Sequence, residues 1–238
     1  DGHGGVQAVP AMSRPQQRAA VTWLGSYRRN PRRGRPALSP HDLVTDGETG
    51  MPQALVDGTS VTNMRTGGHS AVGAKFLARP ESTRVGIIGC GNEGRTHLLA
   101  LNELFPLSEV AAFDIDEEQV ARFAQDVSAR TGVTVEAAPS VEAAAAGADI
   151  VCVVTTAPEP VLLSEWVEAG THVCAATGFR DVAKSCATDF DKWVVGWYGR
   201  DLEWIEGPEV GKLGGLAPGD LSKADIHADI ATEIMSGS

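Results

Sequence analysis

Three features of the sequence predict an α/β protein built on a doubly wound parallel sheet. Short apolar runs alternate with helix-patterned stretches from Arg84 onward, the pattern of parallel strands joined by crossover helices. The run Asp149–Thr156, DIVCVVTT, is apolar almost throughout, as expected of a strand buried on both faces. The first run of the series (Val85, Ile87, Ile88) opens directly into Gly89-x-Gly91-x-x-Gly94 and then a helix-like stretch from Arg95 to Phe105.

That strand–glycine turn–helix order is what a Rossmann-type dinucleotide-binding unit requires. Gly89 permits the tight turn, Gly91 lets a pyrophosphate approach the backbone, and Gly94 lets helix and strand pack closely. The helix start then offers unpaired N–H groups and the positive dipole end to the phosphates. A second apolar run, Val110 to Phe113, ends at Asp114, twenty residues past Gly94. An acid there accepts from the adenosine ribose hydroxyls, and its charge disfavours a 2′-phosphate, so NAD is expected in preference to NADP. The alternative for Asp114 is a turn acid, with Asp116 the better candidate for capping the next helix.

In chain order, the first stretch shows little periodicity beyond AAVTWLGSY (Ala19–Tyr27), a candidate strand. Asp42–Thr45, a DGETG turn (Asp46–Gly50) and Met51–Val56 read as a hairpin. Thr59–Ala78 reads as a helix with Met64, Val72, Phe76 and Leu77 on one face and Ser60 or Thr62 as its cap. Gly67 and Gly68 inside it each cost about 1 kcal/mol against Ala, so something approaches the backbone there: a neighbouring helix or a ligand. After Arg84–Ile88 and Val110–Phe113, Glu117–Arg130 carries Val120, Phe123, Ala124 and Val127 at helical spacing. Val133–Ala138 is a candidate strand, Val141–Ala148 an Ala-rich helix, Ser164–Ala169 helical, His172–Thr177 a strand and Trp193–Trp197 the next candidate strand. Ligands bind beyond strand C-termini in such sheets. The glycine turn, Asp114, Thr155-Thr156 and Thr177-Gly178 are therefore expected along one crevice. From Gly207 a Gly/Pro loop leads into Asp220–Met235, whose spacing suits either helix or strand.

Composition narrows the partners. The 238 residues are 42% hydrophobic and 21% charged, an ordinary globular balance. A net charge of −11 argues against nucleic acid or anionic membrane as the main partner. No apolar run approaches the ~20 residues of a membrane span, and DGHGGVQAVP lacks a signal peptide's apolar core, so a cytoplasmic location is expected. Seven arginines (14, 18, 28, 29, 32, 33 and 35) precede residue 36. Their setting, rich in turn formers, favours a solvated loop over an anion site. Cys90, Cys152, Cys174 and Cys186 lack metal-type spacing and the six histidines form no cluster, so no metal is expected. Cys152 and Cys174 read as buried small hydrophobes, and Cys90 lacks a histidine partner for nucleophilic work beyond His97.

DGETGMPQALVDGT followed by Arg65-Thr66-Gly67, then GCGNEGRTH, then ADIVCVVTTAPEPVL, together resemble the ornithine cyclodeaminase/mu-crystallin family, which includes alanine dehydrogenases and ketimine reductases. The resemblance covers roughly residues 20–235. It implies a homodimer that binds NAD(H) or NADP(H) and acts on a small amino or imino acid. It further implies that Arg65 grips the substrate carboxylate, Thr66 contacts a cofactor phosphate, and Asn92 and Glu93 lie beside the pyrophosphate. Asp114 is then the ribose acid, and Thr155 or Thr156 flanks the nicotinamide side with Gly178 nearby. The implied organisation is a partial α+β substrate and dimerisation part over residues 1–80, incomplete at its N-terminus, a nucleotide domain over 81–205, and a C-terminal segment over 206–238 that returns toward the first part.

Two positions depart from the family pattern. Thr22 stands where a lysine is common, and Gly196, in WVVGW, stands where the catalytic aspartate of a V-V-D pattern is expected. Asp201 is the next acid along and the candidate replacement; Lys75, Lys184 and His69 are further polar candidates that spacing does not rank. The expected function is an NAD-dependent cyclodeaminase-like enzyme working by hydride transfer (cyclodeamination, imine reduction or alanine dehydrogenation). The alternative is a catalytically impaired NAD(P)H-binding protein of the mu-crystallin type.

Overall fold

A computed structural model describes residues 4–27, 29–176, 181–206 and 221–236. The chain forms two compact units, Asp1–Arg65 and Thr66–Ser238.

The first unit is an antiparallel meander of β1 (Gly5–Ser13), β2 (Arg18–Ser26), β3 (Leu38–Asp46) and β4 (Pro52–Asp57), paired in that order. β2 and the β3–β4 hairpin match the sequence reading. The hairpin turn is held by Asp46, whose Oδ1 accepts from Glu48 N (3.1 Å) and Thr49 N (2.9 Å). β1 was not expected. It is exposed along most of its length and carries Pro10, a residue that breaks a strand pattern but is tolerated on an edge, where the missing N–H faces no neighbour. Arg29, Arg32, Arg33 and Arg35 lie exposed around a 3-10 turn, Asn30–Arg33, in keeping with a solvated loop.

Helix α1 (Thr59–Leu77) follows β4 and contains the boundary between the units. Its start is held by Asp57, whose Oδ1 accepts from Thr59 N (2.8 Å). The cap expected at Ser60 or Thr62 is thus displaced, and both lie inside the helix.

The second unit contains a five-stranded, all-parallel sheet of β5 (Arg84–Ile88), β6 (Glu109–Phe113), β7 (Thr134–Ala137), β8 (Ile150–Val153) and β9 (His172–Ala175), in the spatial order β7-β6-β5-β8-β9. Connections through α2 (Asn92–Asn102), α3 (Glu117–Thr131) and α4 (Val141–Ala145) cover it. Val85, Ile87, Val110 and Ile150 pack with Leu98, Leu101, Phe123, Val127 and Ala71 of the helices on one face. Ile88, Val151 and Val153 pack with Ala144, Leu162, Val182 and Cys186 on the other. Two apolar faces explain the near-continuous apolar strands. Asp116 caps α3, accepting from Glu118 N and Gln119 N, as its position in the sequence suggested.

The remaining elements depart from the sequence reading in detail. α4 stops at Ala145, ahead of Gly147 at φ +66°. Ser164–Ala169 supplies only a 3-10 turn, Ser164–Trp166. α5 (Lys184–Asp189) and α6 (Tyr198–Glu206) follow. The strand in Trp193–Trp197 is short, β10 (Val194–Val195), and pairs in parallel with β11 (Ala228–Asp229) rather than extending the main sheet. The described part of the last stretch, from Leu221, combines a 3-10 turn (Lys223–Asp225), β11 and a π-helical turn at Ile230–Ile234.

Candidate active site

The glycine turn begins where β5 ends. Gly89 has φ +103°, a conformation that side-chain-bearing residues rarely adopt, and a Cβ there would stand 2.5 Å from the Val154 carbonyl oxygen. Its N–H donates to Phe113 O (2.9 Å), tying the turn to the end of β6. A Cβ on Gly94 would collide with the Gly89 carbonyl oxygen, so α2 sits hard against the turn. Gly91 is different: a Cβ there meets nothing within 4 Å. Gly91 is also the N-cap of α2, in extended conformation and without a side-chain capping bond. The amides of the first turn, at Asn92 and Glu93, thus begin a helix whose open side lies over a residue with no side chain.

Asp114, at the C-terminal end of β6, accepts from Cys90 N through Oδ2 (2.8 Å) and from Asp116 N through Oδ1 (3.1 Å). A carboxylate oxygen has two acceptor sites, so the turn role and a ribose role are compatible. Gln119 of α3 donates from Nε2 to Cys90 O (2.7 Å), fixing the same turn from behind. Burial pushes the Cys90 thiol up to about 12, helped by the Asp114 charge and opposed by Arg95. That is the reverse of the lowering a nucleophilic thiol needs.

Thr155 leaves the end of β8 and adjoins the turn, its methyl 3.3 Å from the Gly89 Cβ position. Its N–H donates to Oδ2 of the buried Asp181 (3.1 Å), and its Oγ1 accepts from Ala157 N (3.1 Å). Asp181 lies 26 residues from its partner, and nothing in the local spacing marks it. Thr156 is exposed next to it. Gly178 and Thr177 lie outside the described residues.

α1 approaches α2 at Gly67, where a Cβ would stand 2.6 Å from the Thr96 backbone, whereas Gly68 faces open space. One of the two mid-helix glycines therefore serves helix packing. Thr66 is buried beside Gly67, and Arg65 is exposed. The contact is reinforced by Ser70 Oγ, 3.0 Å from Nε2 of the buried His97, whose Nδ1 lies 2.7 Å from Glu93 O. A carbonyl only accepts, so Nδ1 carries the proton, and Nε2 pairs with the Ser70 hydroxyl. His97 is thus a structural link, not a partner for Cys90.

Gly196 follows β10. Asp201 of α6 turns back onto it, Oδ2 accepting from Gly196 N (2.8 Å) and Trp197 N (3.0 Å). A Cβ on Gly196 would stand 2.9 Å from His69 Cε1, 3.1 Å from His69 Nε2 and 3.3 Å from Asp201 Oδ2. At the other departure, Thr22 Oγ1 donates to Asp42 Oδ1 (2.5 Å) within the β2–β3 pair.

The sequence missed a second buried polar group. Cys152 and Cys174 are in register on β8 and β9, and Cys174 Sγ lies 3.3 Å from His172 Nε2. The Cys152 hydrogen bond, with His172 alongside, holds the Cys174 thiol below its usual range and pushes Cys152 up. Among the described residues no group of three His, Cys, Asp or Glu side chains is arranged to hold a metal ion.

The order β7-β6-β5-β8-β9 reverses direction between β5 and β8, the switch point where ligands bind in doubly wound sheets. The glycine turn, Asp114 and Thr155 all stand at the C-terminal ends of strands around it. This is a Rossmann-type α/β protein. It belongs to the ornithine cyclodeaminase/mu-crystallin family, whose model matches residues 1–237.

The chain is similar to an alanine dehydrogenase from Archaeoglobus fulgidus, 35% identical over 172 residues, which are 72% of this chain and 52% of that protein. It thus spans about half the length of that relative. Among solved structures it is similar to the Thermococcus litoralis Δ1-pyrroline-2-carboxylate reductase in complex with NADH and L-proline, with 27% identity and a TM-score of 0.82 over 100% of this chain and 78% of that one. It is likewise similar to an archaeal alanine dehydrogenase dimer with bound NAD, with 28% identity and a TM-score of 0.82 over 100% of this chain and 72% of that one.

Proposed function

We propose that the chain is an NAD-dependent enzyme of the cyclodeaminase type, acting on a small amino or imino acid. The observation that carries the reading is the asymmetry of the glycine turn. Side chains at Gly89 and Gly94 would strike backbone, whereas one at Gly91 would enter open space at the uncapped start of α2. A turn built only for packing has no need of a bare residue there; a pyrophosphate does.

In this reading the backbone from Gly89 through Gly91, Asn92, Glu93 and Gly94 cradles the pyrophosphate, and Thr66 meets a phosphate. Asp114 accepts from the ribose hydroxyls and disfavours a 2′-phosphate, hence NAD over NADP. Thr155, Thr156 and Gly178 flank the nicotinamide side. The bound cofactor supplies or takes up the hydride. Arg65 holds the substrate carboxylate in a bidentate pose, and Asp201 belongs to the proton-handling part of the site. The reaction is a net imine reduction, an alanine dehydrogenase-type deamination or a cyclodeamination, in which hydride leaves and returns.

Residues 1–80 serve as the substrate and dimerisation part, 81–205 as the nucleotide domain and 206–238 as the returning segment. Exposed Trp23, Met12 and Leu55 on the four-stranded sheet give a homodimer an apolar surface to bury. No helix among the described residues is long and apolar enough to cross a membrane, and four free cysteines suit the reducing cytoplasm.

A second reading is an NAD(P)H-binding protein with impaired chemistry, favoured by Thr22 and Gly196 at the two departing positions. Fluorescence titration with NADH and NADPH tests the shared part: NADH binds saturably and more tightly than NADPH, and Asp114→Ala removes that preference. Absorbance of NADH with Δ1-pyrroline-2-carboxylate, or with pyruvate and ammonia, then separates the readings, with product analysis for ornithine. Turnover establishes the enzyme. Binding without turnover on any of these establishes the second reading, and no binding by the folded chain overturns both.

A further inference from the structure

We propose that His69 is the proton-transfer residue of this site, and that Gly196 is bare because the imidazole and the Asp201 carboxylate both reach into the room a side chain would need. The proposal rests on the amino- or imino-acid reading above and assigns a role that reading leaves open.

Of the polar candidates His69, Asp201, Lys75 and Lys184, only the first two are among the atoms nearest the Gly196 Cβ position, all within 3.3 Å of that one point. They reach it from different elements, α1 and α6. The Asp201 carboxylate is fixed by two backbone N–H groups, so its charge is aimed rather than mobile. The segment of α1 that carries His69 is fixed as well, through the Gly67–Thr96 contact and the Ser70–His97 hydrogen bond on either side of it. His69 itself is exposed and lies four residues, about 6 Å of helix rise, beyond Arg65.

The chemistry balances without a further reactant. In the oxidative direction the neutral imidazole takes a proton from the substrate ammonium: an N–H bond breaks on the substrate and one forms on the ring. The freed nitrogen lone pair is then available to form the imine bond as the carbon gives up hydride, which a bound nicotinamide would accept. In reduction the imidazolium returns the proton to nitrogen and is recharged by solvent. Asp201 holds the Gly196–Trp197 backbone that faces the ring, and is a positioning residue.

Three measurements on the full chain test this. Carbethoxylation of His69 by diethyl pyrocarbonate, followed by peptide mass spectrometry, is expected to slow severalfold with NAD+ and L-proline present. His69→Ala is expected to bind NADH as the wild type does and to lose about 100-fold or more in turnover of Δ1-pyrroline-2-carboxylate, the usual worth of a positioned acid–base group. Added imidazole restores part of that loss, an effect a merely structural histidine does not give. An active wild type whose His69→Ala variant turns over normally, or whose loss imidazole does not rescue and whose label is insensitive to ligand, overturns the proposal alone. An NADH-binding wild type inactive on every substrate overturns the functional reading and this proposal with it.

Discussion

Asp181 is buried, yet its carboxylate accepts from the amide of Thr155, the residue that leads the chain away from β8 beside the glycine turn. A charged acceptor on an amide contributes about 1.5–3 kcal/mol, and here it sets the path of the loop rather than touching a ligand. Asp181→Ala is therefore expected to weaken NADH binding about tenfold or more, whereas Asp181→Asn, which keeps an oxygen acceptor, loses less. Parallel NADH titrations of the two variants check the difference; equal losses would show that the charge matters and the Thr155 bond does not. This residue marks the limit of what the sequence discloses about the site. The glycines and Asp114 are legible because turn geometry and strand ends impose spacing in the chain. Asp181 and His69 act across the fold, 26 residues from Thr155 in the first case and from α1 to Gly196 in the second, and no local pattern records such pairings.

The two glycines of α1 separate what a helix needs from what its neighbours need. At Gly68 nothing lies within 4 Å of an added Cβ, so Gly68→Ala gains the helix preference for Ala, up to about 1 kcal/mol. At Gly67 the same gain meets the Thr96 backbone at 2.6 Å. Backbone cannot rotate aside, and overpacking costs about 1–3 kcal/mol, so Gly67→Ala is expected to be a net loss. Urea midpoints should move in opposite directions for the two variants, and movement the same way would contradict the close α1–α2 contact. Elements with one dominant period were legible on similar grounds: α3 with its apolar stripe and Asp116 cap, and the β3–β4 hairpin with its Asp46 turn. β1 was not, because an edge strand exposed along most of its length has no buried face to impose alternation and tolerates Pro10. β10 was visible as a strand but not as a partner of β11, since two-residue strands carry no register signal.

Across the whole chain the connections are held by carboxylates. Asp46 holds the hairpin turn, Asp57 the start of α1, and Asp225 the turn before β11, each drawn below its ordinary range by hydrogen bonds from the segment it holds. Burial pushes Asp149 up, but bonds from Thr83 N, Arg84 N and Arg79 outweigh it and leave it lowered. Asp229 is the extreme case. Burial raises it, yet the Thr232 hydroxyl and the amides of Tyr198, Thr232 and Glu233 bring it down to about 2. A carboxyl with a lower value folded than unfolded contributes stability that is complete above its unfolded value, near pH 4, and is lost as pH falls through the folded value. The urea midpoint is therefore expected to decline steadily from about pH 4 toward pH 2. Asp229→Asn removes one of the protons taken up on unfolding in that range. The variant should be less stable than the wild type at pH 6, because an amide offers one acceptor oxygen where the carboxylate offers two, Oδ1 to Thr232 and Glu233 and Oδ2 to Tyr198, but its midpoint should drop less between pH 6 and pH 3. A variant that loses as much as the wild type over that interval would place the acid sensitivity elsewhere, with Asp149 the next carboxylate to replace.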